Sequence, residues 1–212
     1  MELDYYTHEQ LRTLLTELMQ NHTDLGPEIQ QLIKLHGYDM VDVLVFENEI
    51  HDLIDPQVSS GFINWARNDL DSQWYRLMER HLVKLKQAGD LLALADYIMF
   101  AWRYTYQIME VSDEDGTLRY LIDFLEQEMV MLNQQINIVQ QPKLTRQIVA
   151  RYMAILQDEV VLSWDVMRWV EQTVGIVTDG DQREQLVQLL VQLQATNLNE
   201  REALEIVLRK IQ

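Results

Sequence analysis

The stretch VFENEIHDLID holds the two side chains that come nearest to a metal site. Glu47 and His51 stand four residues apart, so on a helix a carboxylate and an imidazole share one flank, one turn apart, within reach of a common ion. Helical bundles that hold metal between carboxylates repeat a Glu-x-x-His spacing on two helices. That spacing occurs nowhere in this chain. With one pair and no second, the expectation at Glu47 and His51 is a hydrogen bond along a helix seam, with no metal and no cofactor.

A second constellation lies in ADYIMFAWRYTYQIME, residues 95–110, which carries five aromatic side chains. On a helical wheel Asp96, Arg103, Gln107 and Glu110 fall within a stripe of about 60°, and apolar or aromatic groups cover most of the rest. Such a helix is surrounded by neighbours on most sides, and 90–110 is therefore expected to be the central buried helix. Its polar stripe has two readings. One is a ligand slot, with Asp96, Arg103 and Gln107 as the converging polar groups and Tyr97, Trp102, Tyr104 and Tyr106 as aromatic walls. The other is a core helix whose stripe is wet, its tyrosine hydroxyls reaching the surface.

Other chemistry is excluded by what is missing. There is no cysteine, hence no disulfide, no thiolate-bound zinc, no iron–sulfur cluster and no cysteine nucleophile. If Gly116 is set at the sixth position of a calcium loop, the first and twelfth positions become Val111 and Ile122. Neither supplies a charge, so the acidic run 113–115 is a solvated loop rather than an EF-hand. The 7 glycines form no phosphate cradle and no nucleophile elbow. The reading therefore leans away from an enzyme.

Charge points elsewhere. The formal net charge is −17, and residues 1–60 hold 12 acids against 2 bases. A field of that sign repels phosphate backbones and anionic membranes and favours a basic partner surface. Asp42, Glu49, Asp52 and Asp55 are the candidate interaction residues at the end of this acidic third. Arg76, Arg80 and Lys84 stand at i, i+4 and i+8, one cationic stripe. In so acidic a chain it reads as an internal counterpart to the acids or a solvated face, and no direct nucleic-acid binding is expected.

The elements that position these groups read as helices throughout. With 7 Gly and 3 Pro in 212 residues, turns are too scarce for a strand-rich fold, and the fold class expected is all-α, a bundle or short array of eight or nine helices in a single domain over 1–212. The weakest joints are 111–116 and 141–143. Helices are expected over residues 7–19 and 27–37, and over 39–54, closed by Asp55-Pro56, although the β-branched VDVLVFE also suits a strand. A further helix ends at Gly89, with a break near Asp69–Asp71; Asp90 caps the next. Helix then spans 117–140, stopped by Pro142, followed by 144–173 with a break near Asp158, 181–195 and 200–211. In QREQLVQLLVQLQATN the leucines and valines cover most of the wheel with glutamine between them. Such a helix is either buried in the chain or paired across a homodimer through 182–195. The opening MELDYYTHEQLRTLL has neither the basic nor the apolar region of a signal peptide, and no apolar run is long enough to span a membrane. The expected location is cytoplasmic.

The first functional reading is a soluble interaction protein, an adaptor, regulator or inhibitor whose acidic third engages a basic protein. The second is a helical-bundle enzyme or small-molecule binder using the slot on 90–110. The third is an acidic mimic of nucleic acid.

Overall fold

A computed structural model of the chain describes residues 43–58, 63, 69–112, 118–164, 166–196 and 199–211, all within one unit, Asp42–Gln212. The expected helices at 7–19 and 27–37, most of the acidic third, Asp42, and the loop 113–116 lie outside the described residues. So does the part of the single-domain expectation that concerns residues 1–41.

The described residues form nine α-helices and no strand: α1 Val43–Val58, α2 Leu70–Ala88, α3 Leu91–Met109, α4 Arg119–Val139, α5 Pro142–Ile155, α6 Glu159–Trp164, α7 Val166–Ile176, α8 Gly180–Thr196 and α9 Arg201–Ile211. The all-α expectation is met, and no described helix is long and apolar enough to cross a membrane.

Local chemistry sets most of the boundaries. Asp69, at φ 47°, holds the left-handed turn just before α2. Gly89, at φ 69°, ends it, its N–H returning to the Leu85 and Lys86 carbonyls, a conformation a side chain would oppose. The Asp90 carboxylate then accepts from the Leu92 and Ala93 amides and starts α3. Asp158 breaks the long region after α5 as the sequence suggests; its Oδ1 accepts from the Val160 amide at 3.0 Å. Asp179 does the same for α8 through the Gln182 amide at 3.2 Å.

Two prolines behave differently from expectation. Helix α1 does not close at Asp55-Pro56 but runs through Pro56 to Val58. The proline takes one N–H from the last turn, and Asp52, whose carbonyl loses that partner, is exposed, so water can replace it. Pro142 does not stop α4. That helix ends on Gln140 in a left-handed conformation, and Pro142 opens α5, where a missing N–H costs nothing.

Helix α3 is the centre. It packs against α1, α2, α4, α5 and α6, and twelve of its nineteen residues are buried. Around it α4 runs antiparallel and α5 returns parallel, while α8 and α9 pair with each other and close on α5 and α7. Trp74, Trp102, Trp169, Tyr97, Tyr106 and Tyr152 are the largest fully buried side chains. Among its buried polar groups, Thr105 donates to the Ala101 carbonyl at 2.7 Å and Tyr152 donates to Asn133 at 3.1 Å, while the indole N–H groups of Trp102 and Trp169 are buried without a hydrogen-bond partner among the described residues.

In α8, Leu186, Leu189, Leu190 and Leu193 are buried within the chain, against α9 and α5. Val191, half exposed, is the large apolar side chain that this helix leaves to the outside.

Candidate functional site

The least buried face of α3 is its polar stripe. Asp96, Met99, Phe100, Arg103, Tyr104 and Gln107 follow one another at helical spacing and form the floor of a cleft of about 450 Å³. Helix α1 borders it with His51; Arg151, Ala154 and Ile155 of α5, with Asp158 just beyond, form the other wall. The volume lies in the range of small-ligand sites.

The charges in the cleft come in two opposed pairs. Arg151 donates from Nε to Asp96 Oδ1 across a separation of 55 residues, and from Nη1 to the Gln147 carbonyl at 3.2 Å. Two turns along, with the same separation, Arg103 Nε lies 2.6 Å from Asp158 Oδ2. The acid stands on α3 in one pair and on the other wall in the second. Sliding the wall by two turns would set Asp96 against Asp158, or Arg103 against Arg151. Like charges would then meet, so the pairs fix the parallel register of α3 and α5. Between them Met99 and Phe100 face Ala154 and Ile155.

On the floor of the cleft, Arg103 and Gln107 keep free hydrogen-bonding capacity among the described residues. Arg103 is bound through Nε alone and its side chain is 49% exposed, which leaves both terminal nitrogens of the guanidinium fork. The Gln107 amide, one turn further, has no partner there either. On the α1 side the rings of Phe100 and Tyr104 stack at 5.5 Å and 14°. The His51 ring stands at 4.7 Å from Tyr104 and 5.7 Å from Phe100. Tyr104 donates its hydroxyl to Asp55 at 2.5 Å. Burial, reinforced by that carboxylate, holds the phenol well above its usual pKa.

The residues expected to form the slot thus divide. Asp96, Arg103, Gln107 and Tyr104 share the cleft. Tyr97 and Trp102 do not line it. Trp102 turns to another side of α3, fully buried with its ring 4.9 Å from that of Trp169, and Tyr106 stacks on Trp164 at 5.6 Å. The true aromatic wall includes Phe100 and His51. Phe100 falls beside the polar stripe on the wheel and was legible there; the approach of His51 from α1 carried no signal in the sequence.

Tyr97 belongs to a separate buried network. Its hydroxyl lies 2.8 Å from His81 Nδ1, and His81 Nε2 lies 2.8 Å from Glu49 Oε2. A carboxylate only accepts, so the proton sits on Nε2, and Nδ1 accepts from Tyr97. His81 is fully buried, and Phe46 stacks on it at 4.0 Å and 2°. Burial pushes the His81 pKa down against the pull of Glu49. The hydrogen bond from His81 in turn lowers that of Glu49, and burial raises that of Tyr97. This chain of bonds ties α1 to α2 and α3.

The candidate interaction acids are partly consumed inside the fold. Glu49 also accepts from Arg80 Nη2 at 2.5 Å, and Asp55 takes His51 at 3.2 Å besides Tyr104. Only Asp52 is exposed without a partner among the described residues, in a groove of about 460 Å³ between α1 and α2 that Arg76 also lines. The cationic stripe indeed faces α1: Arg80 pairs with Glu49, and Lys84 Nζ lies 5.4 Å from the Phe46 ring centre. The expected Glu47–His51 hydrogen bond is not made, because His51 turns forward along the helix to Asp55. Among the described residues no three His, Asp or Glu gather closely enough to hold a metal ion.

Comparison with protein families, with curated proteins and with solved structures gives no match for this chain.

Proposed function

We propose that the protein is a helical binding protein that holds a small organic ligand in the cleft between α1, α3 and α5. The observation that carries this reading is the convergence of Asp96, Arg103 and Gln107 with Arg151, Asp158 and the His51–Phe100–Tyr104 ring cluster around one cleft. Fixed polar groups beside an apolar floor are what a small-molecule site requires. A thermal-shift screen across metals, nucleotides, organic acids, amines and lipids tests this reading, since a ligand that binds only the folded state raises the melting temperature. At least one organic class is expected to do so, and Arg103→Met is expected to abolish the shift. A screen without a single shift contradicts it.

A second reading rests on the net charge of −17. The acidic N-terminal third, with Asp52 exposed at its edge, then engages a basic partner protein in the cytoplasm, with or without homodimerisation through 182–195. That association would weaken steeply with salt. Retention of a partner from native lysate unchanged by high salt contradicts it. An acidic mimic of nucleic acid is the special case in which DNA competes for that partner.

A further inference from the structure

Resting on the cleft reading, we propose that the ligand class is a small monocarboxylate attached to a planar group, with Arg103 as the residue that recognises the carboxylate. The Arg103 fork presents two parallel N–H groups, the geometry that matches the two oxygens of a carboxylate. Asp158, holding Nε at 2.6 Å, fixes the direction in which that fork points. One turn away the Gln107 amide supplies a further donor from the same face of α3. On the other side of Arg103, Phe100 is half-buried over the stacked Tyr104 ring, a flat apolar surface for the planar group.

The remaining charges narrow the class. Arg151 already spends Nε on Asp96 and Nη1 on Gln147, so a phosphate dianion finds one free fork and, from the second arginine, only the remaining terminal nitrogen. The two lining carboxylates, Asp96 and Asp158, are each held by an arginine, so an ammonium finds no free counter-charge. Two acids and two arginines leave the cleft neutral, which suits one added negative charge better than two in a chain of −17.

The test compares benzoate, benzamide and benzylamine, three probes with the same ring and a different head. Protein labelled at its methionine methyls is titrated at an ionic strength of about 0.15 M, which screens the overall charge beyond about 8 Å. The Met99 methyl lines the cleft, and its signal is assigned from a Met99→Leu variant. Benzoate is expected to move that signal saturably, with benzamide weaker by about tenfold or more. Arg103→Lys, which keeps the charge and loses the fork, is expected to weaken benzoate by about tenfold. Arg103 is half exposed, so these variants fold. Benzamide or benzylamine binding as tightly as benzoate overturns the carboxylate assignment and leaves the cleft as a site. No movement of Met99 with any probe overturns the assignment as well, and the broad thermal screen then decides the cleft reading separately.

Discussion

Removing the hydroxyl of Tyr97 deletes one oxygen from the α3 end of the bond chain that joins α1, α2 and α3. Tyr97 and His81 are both fully buried, and the hydroxyl is the partner of His81 Nδ1 at 2.8 Å. In Tyr97→Phe that nitrogen is left buried with a lone pair and no donor. An unsatisfied buried group costs about 1–3 kcal/mol, and in a unit of this size 1 kcal/mol moves Tm by about 2–4 °C. A fall of about 2–12 °C is therefore expected, measured by calorimetry or by urea unfolding at constant m. The same change in a His81→Leu background should cost less than about 0.5 kcal/mol, because the nitrogen it would strand is already gone. An equal cost in both backgrounds, or a cost below about 0.5 kcal/mol in the parent chain, would refute the Tyr97–His81 bond as a stabilising link between α2 and α3.

The same histidine sets an acid response. Its folded pKa lies below the ordinary 6.5, so the unfolded chain takes up the proton first. Its contribution to stability is complete above about pH 6.5 and is lost as the pH falls below it. Glu49, lowered from 4.5 by His81, adds a loss of the same sign at lower pH. His81→Leu should flatten the urea midpoint between about pH 7 and pH 5.5, and an unchanged slope would place the titration elsewhere. Exchanging the charges of the Asp96–Arg151 pair tests the register argument: Asp96→Arg or Arg151→Asp alone should cost about 1–2 kcal/mol, and the double variant should recover most of it. Leu190→Ala, at a fully buried site, should cost about 2–5 kcal/mol. Val191→Ala should stay within about 0.5 kcal/mol, and sedimentation showing that it dissolves a dimer would show that α8 is shared between two copies.

The element pattern was legible because it rests on local chemistry: Gly89 and Asp90 mark the α2–α3 junction by residue type alone, and Asp158 marks the break after α5. The two prolines were misread for a reason that is also local. A proline near a helix end signals a boundary, but whether it closes one helix or opens the next depends on which carbonyl it deprives, and that depends on exposure. Within the cleft, the Asp96–Arg103–Gln107 stripe followed from periodicity, since all three share one helix. The opposing residues Arg151, Asp158 and His51 come from α5, the turn after it and α1, and their arrival depends on how α5 and α1 pack on α3, which no spacing within one helix encodes. Aromatic type read without direction puts Tyr97 and Trp102 in the slot; each lies about 110° around the wheel from the middle of the stripe, Tyr97 toward His81 and Trp102 toward Trp169.

The central claim, that a ligand occupies the face of α3 between α1 and α5, is most directly tested by site-specific protection. The chain has no cysteine, so Ala154→Cys places a unique thiol on the cleft wall without touching its polar groups, and Gln135→Cys places a control on the exposed side of α4. With the ligand that raises Tm most, alkylation of the thiol at position 154 should slow by about tenfold at a concentration tenfold or more above its Kd, while that at 135 stays constant. Equal rates at position 154 with and without that ligand would show that it binds elsewhere and that the cleft is not the site.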